Sequence, residues 1–143
     1  MVDFCVLLKS RGLIKVEGED RAEFLQGLIS NDIDQVARDR AIWAALLTPQ
    51  GKYLHDFFII EYDNAYYLDC EAERLMDLGQ RLRKYVLRAD VSLDIVKDCV
   101  VVAMFGQGDD GGAVQALGLP RKAGAACAWE GGMVYVDPRL AAA

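Results

Sequence analysis

Residues 41–69 have the sequence AIWAALLTPQGKYLHDFFIIEYDNAYYLD, and this stretch decides the fold. Two apolar runs, 41–47 and 53–62, flank Thr-Pro-Gln-Gly. In this turn proline fixes φ at the second position, and glycine gives the backbone conformational freedom at the last position. A second turn, Asp-Asn, leads into a third apolar run. The pattern predicts a three-stranded β-meander.

Amphipathic segments on both sides of the meander predict helices. The first begins at Asp20, which with Glu23 resembles a capping box, and its apolar residues share one helical face as far as Asn31. The second covers 71–88, where apolar residues recur at helical spacing. We expect the meander to pack beneath this long helix.

Shorter apolar runs complete the predicted order of elements. Runs at 4–8 and 12–16 predict a hairpin or two successive strands, runs at 91–96 and 99–105 predict two strands, and a short helix near 112–117 and a last strand around 133–136 follow. The fold class is therefore α+β, with a mixed or antiparallel sheet and a β-meander packed against amphipathic helices.

The elements divide into two parts near Lys97-Asp98. Residues 1–97 form a first β-α-β3-α-β unit, and residues 98–143 are expected to be the truncated start of a second.

Composition excludes several classes of function. A net charge of −6 opposes binding to nucleic acid, which needs a dominant basic surface. The four cysteines are widely spaced, with no Cys-x-x-Cys pair, so we expect buried reduced thiols and no metal site. No signal-like leader or membrane-length apolar run occurs, which predicts a cytoplasmic location and no membrane partner.

Asp56 is the strongest candidate functional residue. The two-residue period of its strand places it on one face with Leu54, Phe58 and Ile60, so a carboxylate lies on an apolar surface and can accept hydrogen bonds from a nitrogen heterocycle. The alternative is a structural aspartate bonded to backbone amides. His55 points to the opposite face without an obvious partner, which favours a structural or surface role.

Three further patterns each have a structural and a functional interpretation. Residues 105–111 satisfy G-x-G-x-x-G after a strand, but two acidic residues in the loop would repel a pyrophosphate, which favours a plain turn. Basic side chains on the second helix form either a solvated face or a surface that attracts the carboxylates of a ligand. Aromatic side chains in the meander fill a core or stack on a planar ring. The basic set is Arg74, Arg81, Arg83, Lys84 and Arg88.

Three ordered segments resemble the superfamily of the glycine-cleavage T-protein and the YgfZ-type folate-binding proteins. FLQGLISNDI at 24–33 is similar to a segment near the start of those proteins. LTPQGKYLHDF at 47–57 is similar to their hairpin, and LRKYVLRADV at 82–91 follows in the expected order. The chain therefore resembles the amino-terminal part of a YgfZ-type protein.

The resemblance implies a fold with a central cavity for tetrahydrofolate. Asp56 takes the place of the hairpin aspartate that faces the pterin, and it is the candidate catalytic residue, because the T-protein carboxylate assists one-carbon transfer. By position the resemblance also implies that Trp43, Phe58 and Cys70 contact folate. The reactive-cysteine signature of YgfZ-type proteins, Lys-Gly-Cys-Tyr-x-Gly-Gln-Glu, is absent from these residues, so no cysteine inherits its role.

The function implied is binding of tetrahydrofolate, or its formyl derivative, in support of iron-sulfur cluster assembly or repair. Its partners would be folate and iron-sulfur client or assembly proteins. One alternative is an aminomethyltransferase of the glycine cleavage system, and another is a non-catalytic interaction module that binds no small molecule.

Overall fold

The computed structural model describes residues 4–105 and 112–139. Its strands are β1 (Phe4–Leu7), β2 (Arg11–Glu17), β3 (Ile42–Leu47), β4 (Tyr53–Tyr62), β5 (Ala65–Glu71), β6 (Ser92–Val96), β7 (Val102–Phe105), β8 (Ala126–Trp129) and β9 (Gly132–Tyr135). Its α-helices are α1 (Arg21–Gln26), α2 (Leu75–Arg83) and α3 (Gly112–Ala116).

A five-stranded antiparallel sheet in the order β3-β4-β5-β2-β6 forms the centre of the molecule. The predicted meander supplies three of its neighbouring strands. Its first turn closes through hydrogen bonds from Thr48 N to Lys52 O and from Gly51 N to Thr48 O. In its second turn Asp63 and Asn64 have φ angles of 49° and 62°, the left-handed pair that a tight two-residue hairpin requires.

The two main helices cover one face of this sheet. Leu25 of α1 and Leu78 and Leu82 of α2 are fully buried against side chains from the sheet. Alternation along the strands explains why these side chains meet, because every second residue points to the helical side. The sheet residues of this core include Ile14, Val16, Ile42, Ala44, Leu46, Phe57, Ile59, Leu68 and Cys70.

The opposite face of the sheet is not covered by α1 or α2, and the hairpin β8–β9 packs on part of it. Tyr62 of β4 donates a hydrogen bond to the carbonyl of Gly131 in the hairpin turn. Strands β1 and β7 pair only with each other, as a separate two-stranded ribbon. The predicted α+β class, with an antiparallel sheet and a meander packed against helices, is confirmed, whereas the division at residue 97 stays a prediction.

Helix α1 is shorter than predicted, because polar side chains stop it and bind the neighbouring backbone. The Gln26 amide oxygen accepts a hydrogen bond from Ile33 N at 2.7 Å. Ser30 N bonds to Ala45 O, and Asn31 Nδ2 donates to Trp43 O at 2.9 Å. The segment 26–31 thus covers the free edge of β3 instead of extending the helix to Asn31.

The predicted capping box at Asp20 is wrong. Its carboxylate makes no cap and instead accepts a hydrogen bond from Asp90 N at 2.7 Å.

Other boundaries also differ from the sequence-based prediction. A 3-10 turn, Ala72–Arg74, precedes α2, and the helix ends at Arg83 instead of extending to Arg88. Strand β8 was not predicted, and the Gly-rich loop 106–111 lies outside the described residues. Within the described ranges, no helix has the length and apolar character needed to cross a bilayer.

Candidate functional site

Asp56 lies half-buried in β4, on the face of the sheet opposite α1 and α2. Its cross-strand partner is Ala45 of β3. The flanking residues His55 and Phe57 are buried on the helical side, so the predicted alternation holds from His55 to Phe57. Leu54, which was expected on the face of Asp56, packs instead against the helical core, because the pairing of β3 with β4 shifts register there. The carboxylate therefore faces away from the main core.

Aromatic side chains surround Asp56 on the same face. Trp43 of β3 stands opposite Phe58 of β4, and the residue remains 43% exposed. Tyr53, at the start of β4, is also exposed. Partial burial raises the pKa of the Tyr53 hydroxyl, and the negative charge and hydrogen bond of Asp56 raise it further. Asp56, Trp43 and Tyr53 together form what we term the open face.

Phe58 shares this face, but other side chains cover its ring. The guanidinium carbon of Arg139 lies 4.8 Å from the ring centroid, and that of Arg11 lies 5.5 Å away. The Tyr135 ring packs at 5.6 Å between centroids. Phe58 is therefore buried, and it lacks the free ring surface that stacking on a ligand would need.

Asp69 of β5 is a buried carboxylate that the sequence analysis missed. Its Oδ1 accepts a hydrogen bond from Arg11 Nε at 2.8 Å, and its Oδ2 accepts one from the Tyr135 hydroxyl at 2.6 Å. Burial, followed by the Asp69 charge, raises the pKa of Tyr135 far above its usual range. The signal for this cluster was the alternation of β5, which places Asp69 on the same face as Asp56.

Cys70 is separated from the open face, because it points into the helical core. It is buried, and its Sγ lies 3.7 Å from the carbonyl oxygen of Gly12. Burial raises the pKa of its thiol to about 12. Cys70 and Asp56 border one narrow cleft at the end of the strands, but this cleft has no room for a water molecule.

His55 is held structurally on the helical side. Its Nε2 and the Asp77 Oδ2 of α2 are 2.6 Å apart, and Arg81 Nε donates to the same oxygen at 2.8 Å. Arg81 and then His55 lower the pKa of Asp77. The histidine thus ties β4 to α2 and takes no part in the open face.

Most of the basic residues of the second predicted helix are also remote from Asp56. Only Arg74 borders the cleft beside Asp56, while α2 carries its cations on the helical side of the sheet. Arg139 lies over Phe58, on the same side of the sheet as Asp56, and its fork binds Asp137 through Nη2 and Oδ2 at 2.7 Å. Pairing with Asp137, and more weakly the charge of Asp56, raises the pKa of Arg139.

No cluster of three or more potential metal ligands occurs in residues 4–105 or 112–139. The site as described therefore consists of one carboxylate, an exposed aromatic pair and a neighbouring guanidinium.

Known proteins resemble the chain over much of its length. It is 30% identical over 96 residues to the mitochondrial iron-sulfur cluster assembly factor IBA57 homologue of Neurospora crassa, a match that covers 62% of the chain and 22% of that protein. It is 32% identical over 101 residues to the tRNA-modifying protein YgfZ of Hamiltonella defensa, covering 71% of the chain and 30% of that protein. No protein-family profile matches.

The fold is similar to a solved enzyme structure. The glycine cleavage system aminomethyltransferase T from Bartonella henselae superposes with a TM-score of 0.66 at 20% identity, over 81% of the chain and 32% of the enzyme. The chain thus spans about a third or less of the length of these proteins. Because the Neurospora relative is mitochondrial, the expected cytoplasmic location stays a prediction.

Sequence and fold point the same way. The chain is similar in sequence to YgfZ and IBA57 proteins over 22–30% of their length, and it shares the fold of aminomethyltransferase T.

Proposed function

We propose that this chain binds tetrahydrofolate, or its formyl derivative, on the open face and supports iron-sulfur cluster assembly or repair. The observation that supports folate binding is the half-buried carboxylate of Asp56 beside the exposed side chain of Trp43, on the side of the sheet opposite α1 and α2. A planar ring with N–H donors matches this pair of groups, since one group stacks and the other accepts hydrogen bonds.

The residues of the open face fit the two ends of folate. Asp56 is placed to accept hydrogen bonds from the amino and ring N–H groups of the pterin, and Trp43 offers a stacking surface. Arg139 would attract the carboxylates of the glutamate tail, although Asp137 already engages part of its fork. Folate, when bound, supplies a carrier for one-carbon groups. Other side chains cover the ring of Phe58, and Cys70 lies on the other side of the sheet, so we assign neither a direct contact.

The iron-sulfur part of the proposal rests on the relatives. The fungal relatives are named as iron-sulfur cluster assembly factors, and they match the chain at about 30% identity. The partners proposed are therefore client or assembly proteins of iron-sulfur clusters. The likeness to aminomethyltransferase T, at 20% identity, supports the fold alone.

Calorimetric titration with tetrahydrofolate and with 5-formyltetrahydrofolate tests the folate site. Asp56→Asn keeps the shape of the side chain and removes its charge. A hydrogen bond to a charged group contributes about 1.5–3 kcal/mol, so the dissociation constant should rise roughly 10- to 150-fold. Asp94→Asn is the matched control, because Asp94 lies exposed on the distant strand β6. Equal effects of the two substitutions, or no binding by the wild-type chain, would contradict the assignment.

A second experiment separates the proposed role from the alternatives. In cells from which the gene has been deleted, the activity of a [4Fe–4S] dehydratase should fall, and the wild-type gene should restore it better than Asp56→Asn. Glycine-cleavage assays with the lipoyl carrier protein should show no stimulation by the chain. Stimulation there would favour an aminomethyltransferase, and an unchanged dehydratase would contradict the iron-sulfur role.

A further inference from the structure

We propose that the turn after α2, residues 83–88, is a docking surface for a partner protein that presents an apolar patch bordered by carboxylates. We call these residues the basic turn. They lie on the helical side of the sheet, away from Asp56, so this proposal stands independently of the folate site.

Leu87 is the centre of the basic turn. Its side chain is 87% exposed, which is the highest exposure of any large apolar residue in the described chain. Its φ angle is 45°, a left-handed conformation that residues with a Cβ rarely adopt. Glycine or asparagine would suit this backbone better, so folding alone does not explain a leucine at this position.

The backbone around Leu87 is fixed by interactions on both sides. Val86, the preceding residue, packs against the core. Asp20 and Asp90 bind each other reciprocally, since Asp90 N donates to the Asp20 carboxylate at 2.7 Å and Asp20 N donates to Asp90 O at 3.1 Å. Gly18 permits this approach, because a Cβ there would lie 2.0 Å from the Asp90 carbonyl oxygen. Leu87 is thus presented outward on a rigid scaffold, which lowers the entropic cost of binding.

Positive charge surrounds this apolar side chain. Arg83, Lys84 and Arg88 are all exposed, and no hydrogen bond or ion pair connects their side chains to another described residue. Tyr85 between them is half exposed. On a chain with a net charge of −6, three adjacent unpaired cations form a local field of the opposite sign. This field attracts an acidic partner, whereas the like net charges of two copies of the chain repel each other at long range.

A neighbouring groove determines how the partner protein is oriented on the basic turn. It has a volume of about 420 Å³, and Phe24, Leu28 and Tyr85 line it together with Asp20 and Glu23. An apolar side chain of the partner can enter this groove while Leu87 packs on the partner. The acidic groups repel partner carboxylates on the groove side, so these are directed towards the cations of the basic turn.

Titration with two synthetic peptides, followed by amide NMR shifts, tests the proposal. One is an amphipathic helix with a leucine stripe bordered by glutamates, and the other has lysines in place of the glutamates. The glutamate peptide should shift amides 83–88, with affinity that falls as salt rises, and the lysine peptide should not bind. No binding by the glutamate peptide, equal binding of both, or shifts confined to the open face would overturn the proposal.

Leu87→Gly separates docking from folding. Glycine suits the positive φ, so the variant should resist urea at least as well as the wild type. Its affinity for the glutamate peptide should nevertheless fall at least about tenfold, as expected when a buried leucine contact is lost. Met76→Ala is the matched control, because Met76 is an exposed apolar residue of α2 outside the basic turn. A Leu87→Gly variant that loses stability, or binds like the control, would refute the role of Leu87.

Discussion

The substitution Tyr135→Phe tests how the hairpin β8–β9 is held on the sheet. It removes one hydroxyl, whose oxygen lies 2.6 Å from Asp69 Oδ2, and it keeps the aromatic ring that packs on Phe58. The Asp69 side chain is only 4% exposed, so water cannot readily replace the lost donor. Arg11 remains at the other carboxylate oxygen.

The expected loss follows from the burial of that carboxylate. A hydrogen bond to a charged group contributes about 1.5–3 kcal/mol, and we expect the free energy of unfolding in urea to fall by about 2 kcal/mol. Hydrogen exchange should also accelerate in the amides of β8 and β9, because the hydroxyl joins the hairpin to the sheet. Denaturation by urea and native-state exchange measure the two effects separately.

Tyr62→Phe is the matched control for this change. The Tyr62 hydroxyl also joins the sheet to the hairpin, through the Gly131 carbonyl at 3.1 Å, but this hydrogen bond is exposed to solvent. Its loss should cost no more than about 0.5 kcal/mol. If the two variants lose equal stability and exchange at equal rates, the buried carboxylate is not what holds the hairpin, and the reasoning fails.

Three other predictions follow from the same side-chain environments. Burial raises the pKa of the Cys70 thiol from its ordinary 9.0 to about 12, and burial together with Asp69 raises the pKa of the Tyr135 hydroxyl. Both groups therefore stay protonated to higher pH in the folded state than in the unfolded state, so the free energy of unfolding should fall as pH rises above about 9. A flat urea midpoint between pH 8 and 11 would contradict this. At pH 8 a disulfide reagent should modify exposed Cys5 quickly and buried Cys70 only after unfolding, as mass spectrometry of the labelled peptides will show. Gly18→Ala should lower the free energy of unfolding in urea by about 3 kcal/mol, because a Cβ there meets the Asp90 carbonyl. Gly51→Ala should lower it by only about 1 kcal/mol, because the φ of 86° is unfavourable for alanine but the space around the Cβ is open.

The sequence predicted the meander well because its signals are local. A Pro-Gly turn and an Asp-Asn turn separate three apolar runs, and each turn needs only its own residues to form. Alternation then placed Asp56 and His55 on opposite faces, as the structure has them. The helix ends were less predictable, because Gln26 and Asn31 find partners in the edge strand β3 instead of extending α1.

The candidate site depends on contacts that periodicity does not encode. By position in the resemblance Phe58 was expected to contact folate, but Tyr135 and Arg139 come from more than 70 residues later in the chain and cover its ring. Asp69 was missed for the same reason, since its partners Arg11 and Tyr135 are distant in sequence. Cys70 was assigned by position in the resemblance, whereas the pleat of β5 turns it towards α2.

The indole N–H resonances of Trp43 and Trp129 provide the most direct test of the open face as the folate site. The chain has only these two tryptophans, and both are partly exposed, but only Trp43 stands beside Asp56. Titration with tetrahydrofolate should shift the Trp43 resonance in a saturable way and leave that of Trp129 unchanged, and Asp56→Asn should weaken the response. Equal shifts of both indoles, or a shift of Trp129 alone, would show that folate does not bind on the open face.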